Sequence, residues 1–273
     1  MSYPSFERSA EVVEQFINIL TEHGIDLRHG SASENEALAM LDVLDMWRNP
    51  DRQPSDPRPV ARAAMGFVDL AGKVVGVKDR ADFGQLVPHL EMLGKTTVLQ
   101  NASSPITDGD ANKVIELYVA CLAMTFGTNI ALDHPINSKG DNPDVMLDFR
   151  GQRWALALKT LHSRKPRTIY DNIKKAADQI EASPATHGLV ILNLKNLLDY
   201  DALWPSPLVS YRNHPIGTAL RRAMECGLAQ LTFFFQAATL FSAAAGIGFQ
   251  FHGSSSARRG AMWSWIRART SER

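Results

Sequence analysis

Cysteine is scarce: Cys121 and Cys226 are the only two in 273 residues. They lie far apart in sequence, match no metal-ligand spacing, and each sits in an apolar stretch. They therefore read as reduced core thiols of a cytoplasmic protein and exclude a disulfide framework or a zinc finger. A charge excess is lacking too, since 29 basic side chains balance 29 acidic ones. That balance excludes the broad electrostatic footprint of a nucleic-acid coat protein while leaving room for a local basic groove. No basic-then-apolar leader opens MSYPSFERSAEVVEQF, so a cytoplasmic location is expected. No Gly-rich phosphate loop, Ser-His-Asp arrangement or dinucleotide fingerprint is present. Residues 226–251 carry no charge and could in length cross a bilayer, which needs about 20 residues. Gln230, Gln236 and Gln250 would then lie in lipid, and SAAAGIGF suits an element packed inside a protein, so no membrane partner is expected.

What is present is core material: 45% of the chain is hydrophobic and 21% charged, an ordinary globular balance. Charge is uneven along the chain. Residues 1–100 hold 15 acidic and 10 basic side chains, and residues 201–273 hold 3 and 8. The first hundred residues show helical periodicity, with one stripe of Val12, Phe16, Ile19 and Leu20 and another of Leu38, Leu41, Leu44 and Trp47. The turn-rich NPDRQPSDPRP, residues 49–59, separates these from a third helix over about 60–77. The composition shift at NASSPITDGDAN marks a boundary, giving a helical subdomain over 1–105 and a second domain over 106–273.

Beyond Ala111 the pattern is helix, strand, strand, helix, strand. The helix stops at Gly127, a common C-terminal position for glycine. Strands are predicted over 144–149, with Val145, Leu147 and Phe149 on one face, and over 153–160, with Trp154, Leu156 and Leu158 on the matching face. A helix over about 168–182 is striped by Ile169, Ile173, Ala176 and Ile180. The strand at 188–194 is apolar on both faces and reads as central and helix-covered. The fold class is α/β: a mixed sheet flanked by helices, preceded by the helical subdomain.

Glu116 is the sole charged side chain between Lys113 and Asp133. It either points to solvent or, if buried, needs a cation, a hydrogen-bond network or a metal. With Gly151-Gln152 as a two-residue turn, paired positions sum to 303. Asp144 then lies directly opposite Lys159, with Cβ atoms about 5 Å apart. That pair alone could be an ordinary cross-strand ion pair.

Taken in order, Glu116 in ANKVIELYVACLAMTFG, Pro143-Asp144 in DNPDVMLDF, Lys159 in ALALKT, and Gln179 in TIYDNIKKAADQIEAS resemble the successive motifs of the PD-(D/E)XK nuclease superfamily. The resemblance covers about 85 residues, 110–195, and implies a restriction-endonuclease-like sheet. It implies catalytic positions at Glu116, Asp144, Lys159 and Gln179. Asp144, Glu116 and the Leu158 carbonyl would hold Mg²⁺ or Mn²⁺, and Lys159 would orient water or hold the scissile phosphate. Hard oxygen ligands suit such ions, which acidify a bound water and offset phosphate charge. The second acidic position of the family, two before the lysine, is here Ala157. A degenerate site, a migrated ligand or a deliberate substitution would each account for it. Asp178 and Glu181 are candidates for migration, whereas Asp148 is roughly 13 Å along the strand from Asp144.

Arg164, Lys165 and Arg167 in HSRKPR, with Lys174 and Lys175 on the next helix, could contact phosphates without reading sequence. Arg258, Arg259, Arg267 and Arg269 could extend that surface, with Trp263 and Trp265 as stacking or core residues. His134 and His162 lack partners at zinc spacing. The expected function is a metal-dependent phosphodiesterase acting on DNA, with RNA as the alternative polymer, in restriction or phage defence and impaired by Ala157. The rival is an inactive nuclease-like binding or scaffolding protein. A homodimer is compatible with either.

Overall fold

The computed structural model describes residues 6–27, 29–49, 51, 54, 56–94, 109–137 and 141–198. Three long helices come first: α1 (Phe6–Glu22), α2 (Ala32–Arg48) and α3 (Arg58–Val77). A short α4 (Val87–Leu90) follows, between two 3₁₀ turns, and then α5 (Gly109–Phe126). The sheet is built from β1 (Thr128–Leu132), β2 (Val145–Phe149), β3 (Gln152–Thr160) and β4 (His187–Asn193), with α6 (Pro166–Glu181) crossing between β3 and β4. Strand order is β1-β2-β3-β4. The first three strands are antiparallel neighbours and β3 runs parallel to β4, so the architecture is mixed α/β.

The alternation of β3 separates two cores. Leu156, Trp154 and Leu158 face α5 and join a cluster containing Phe16, Phe67, Leu70, Leu117, Val145 and Leu147. Ala155 and Ala157 face α6 and pack with Ala176, Ile180, Val190 and Leu192. Helices therefore cover both faces of the sheet. The first cluster runs without interruption from α1 and α3 through α5 into β2 and β3.

Four sequence expectations change. β1, a short strand, was not foreseen; its register slips between Thr128 and Ala131, where Asn129 adopts φ 52°. β4, expected to be central, pairs only with β3 among the described residues, although both its faces are covered. The α2 stripe points outward, with Leu38, Leu41 and Trp47 exposed. Its buried face is instead Ala39, Met40, Val43 and Met46, set against Ala61 and Ala64 of α3, because small residues let the two helices approach. Finally, the β2–β3 turn is Arg150-Gly151, with φ 53° and 74°. Positive φ at both central residues is the type I′ geometry that matches strand twist.

That turn pairs Phe149 with Gln152 and Val145 with Leu156, so partners sum to 301 and not 303. A shift of two preserves face parity. Asp144 and Lys159 thus keep a common face, but they are not direct cross-strand partners. Continuing the register sets Asp144 opposite Ala157.

Gly188 of β4 lies tightly against Ile180 of α6. A Cβ there would lie 2.1 Å from Ile180 Cγ2 and 3.2 Å from its Cβ, and a β-branched side chain has little room to yield. Gly188→Ala is expected to cost about 1–3 kcal/mol by overpacking. The cost should shrink in an Ile180→Ala background, as a double-mutant cycle of denaturant midpoints would show. Additive effects would mean that the helix simply moves away.

Candidate active site

Glu116 lies mid-α5, on the side turned inward, and is only 5% exposed. The solvent-facing alternative is therefore excluded. Lys113, one turn earlier, donates to both carboxylate oxygens at 2.8 and 2.9 Å. His89 of α4, itself wholly buried, sets Nε2 3.2 Å from Glu116 Oε2.

Asp144 stands at the head of β2. The Leu158 amide of β3 donates to Asp144 Oδ2 at 2.6 Å. This bond pins the carboxylate at the strand end. Asp144 is buried, and burial above all, then the Glu116 charge, pushes its carboxyl up to about 7. Lys159, the Leu158 amide and Lys113 pull the other way. The Glu116 charge thus acts on Asp144 in a poorly solvated place.

Lys159 does not pair directly with Asp144. Its ammonium donates to Gln179 Oε1, and Gln179 Nε2 donates to the Asn142 carbonyl at 2.9 Å. Gln179 is buried on the sheet-facing side of α6. It ties that helix to the chain just before Asp144. Burial holds the Lys159 ammonium below its ordinary range, while Asp144 and Glu116 draw it back up. Glu116, Asp144 and Lys159 therefore act on one another electrostatically, and Gln179 is bonded to Lys159.

Sequence reasoning missed Lys113, His89 and Asn142. Lys113 was readable as an i,i+3 partner of Glu116. His89 carries no local signal, since 27 residues separate it from its carboxylate.

Neither Asp178 nor Glu181, the candidates for a migrated ligand, is placed to replace Ala157. Asp178 is exposed and pairs with Lys174 at 3.0 Å. Glu181 is exposed as well. Asp148 pairs with Arg153 at 3.0 Å and accepts from Asn129. Ala157 itself is wholly buried against α6. Among the described residues no three His, Cys, Asp or Glu side chains gather as a metal group. Glu116 and Asp144 are the hard oxygen donors that this place would offer a dication, which would retain much of its water.

The basic cluster is partly neutralised. Arg167 pairs with Asp171 at 3.2 Å and lies over the exposed Tyr170 ring, Lys174 pairs with Asp178, and Arg164 donates to the Leu197 carbonyl. Lys165 forms the N-cap of α6, and exposed Lys175 adds to the positive field around Lys159. His162 contacts the Asn196 side chain, and His134 Nδ1 lies 3.3 Å from the Ile136 amide. The C-terminal arginines, Trp263, Trp265 and the charge-free segment 226–251 lie outside the described residues. No helix among the described residues is long and apolar enough to cross a membrane. Compared with protein-family models, curated proteins and solved structures, the chain matches none.

Proposed function

We propose that this chain is a slow, divalent-metal-dependent phosphodiesterase of PD-(D/E)XK type acting on DNA. The observation that carries the reading is the burial of Glu116 and Asp144 together, strongly enough that Asp144 is pushed up to about 7 by burial and by its neighbour's charge. Two mutually repelling carboxylates in a desolvated place gain most from a cation between them. Asp144 and Glu116 would hold Mg²⁺ or Mn²⁺ with the Leu158 carbonyl, and the metal would supply an acidified water and charge neutralisation. Lys159, fixed by Gln179, would hold the phosphate or orient the attacking water. Lys165 and Lys175, with the paired Arg164, Arg167 and Lys174, would position the duplex through its backbone.

A second reading, a nuclease-like binding protein without metal, has its own support. Lys113 occupies both oxygens of Glu116, Lys159 is held by Gln179, and the Ala157 position lacks a ligand, so two cations balance two carboxylates without an ion.

Cleavage of plasmid, linear duplex and single-stranded DNA should separate the readings when measured with Mg²⁺ and with Mn²⁺ alongside a calorimetric Mn²⁺ titration. The nuclease reading expects slow cutting that favours Mn²⁺, whose geometry is less demanding, and that Lys159→Ala abolishes. Absence of both cutting and carboxylate-dependent Mn²⁺ binding would give the binding reading first place.

A further inference from the structure

Glu116 is gripped from two directions, and only one grip comes from its own helix. Lys113 supplies charge from within α5. His89 comes from α4, in the helical half of the chain, and its ring is wholly buried in a segment where Leu86, Leu90 and Leu93 are also wholly buried. Its two nitrogens meet different surroundings. Nε2 lies 3.2 Å from Glu116 Oε2, whereas Nδ1 is buried with no hydrogen-bond partner among the described residues. An N–H on Nδ1 would go unsatisfied, at about 1–3 kcal/mol. An N–H on Nε2 has a carboxylate to donate to. The ring hydrogen therefore belongs on Nε2, and the imidazole acts as a rigid donor that fixes one oxygen of Glu116.

From this we infer that His89 is a positioning residue, whose Nε2–H fixes the Glu116 carboxylate beside Asp144, so that the helical N-terminal half of the chain completes the candidate active site. The inference rests on Glu116 being a metal ligand. Outer partners of a ligating carboxylate set its orientation, and their loss costs about 10–100-fold in metal affinity. A flexible Glu116 would have to be ordered at the moment of binding. Lys113 cannot substitute, because its long stem leaves the carboxylate free to swing with it.

Two measurements on the full chain test this. The ¹⁵N signals of the His89 ring in metal-free wild type should show hydrogen on Nε2; hydrogen on Nδ1 overturns the inference. Mn²⁺ titration of folded variants should show His89→Leu weaker by at least about tenfold. His89→Gln should recover most of that loss, since its amide nitrogen reaches the Nε2 position, and His89→Asn should not. If His89→Leu fails to fold, the Gln and Asn variants carry the comparison. Equal Mn²⁺ affinity in wild type, His89→Asn and any folded His89→Leu overturns the positioning role while leaving the nuclease reading intact. A wild type without carboxylate-dependent Mn²⁺ binding overturns both.

Discussion

Near pH 8 and without divalent metal, Asp144→Asn should melt at a higher temperature than the wild type. An aspartate whose folded-state value is raised binds its proton more tightly when folded. Its contribution to stability is then complete below the ordinary value of 3.8 and is lost as pH rises through about 7. At roughly 1.4 kcal/mol per pH unit, the interval amounts to an order of about 4 kcal/mol. Wild-type stability should fall across that window, and Asn, which has no such proton, should remove this part of the slope. Asn also retains an acceptor for the Leu158 amide. Mn²⁺ should then stabilise the wild type alone and narrow the gap, by mass action on the folded state. Thermal melts of both proteins between pH 4 and 8, with and without Mn²⁺, would check this. An Asn variant less stable than wild type at pH 8 would mean that Asp144 is held by attraction and is not strained by its neighbour.

Ala157→Glu tests the missing ligand, and the packing makes its outcome two-sided. Ala157 is wholly buried against Ala176 and Ile180, so a glutamate there overpacks the α6 contact and buries a third carboxylate beside Asp144. Without metal the variant should lose several kcal/mol of stability. With Mn²⁺ the new carboxylate becomes a further oxygen ligand, and the metal-dependent gain in melting temperature should exceed that of the wild type. Cleavage should rise in parallel, and Lys159→Ala should remove it. A folded variant whose stability ignores Mn²⁺ would detach position 157 from any metal site. The nuclease assignment would lose its motif logic there.

The sheet-and-helix half of the fold was readable because its two periods are clean. Alternation in 144–149 and 153–160, and the 3.6-residue stripe of Ile169, Ile173, Ala176 and Ile180, gave bounds within about two residues of β2, β3 and α6. β1 escaped because its five residues are interrupted by a bulge at Asn129. The α2 face was misread because Leu and Trp weigh more in a hydrophobic count than Ala39, Met40 and Val43, while the tight α2–α3 contact selects small side chains. The turn was placed one residue late because Gly151 suits the first position of one hairpin turn and the second of another. That error left Asp144 and Lys159 on the same face, since it moved the pairing by an even number. The candidate site was legible where charge stood alone in apolar sequence, as at Glu116, and illegible where tertiary packing supplied a partner, as at His89.

The unbroken apolar cluster from α1 and α3 through α5 into the sheet joins the first helices to the strands in one continuous core. Cutting the chain between residues 94 and 109 and discarding the first part would take Lys73 of α3 away from Tyr118 and Cys121 of α5. At the same time it would take away the ring that faces Glu116. Opening of the 83–94 segment would release that acidic side chain, and the buried Leu86, Leu90 and Leu93 tie such opening to the main core. Amide exchange in this short stretch is thus the natural gauge of how often the site is intact.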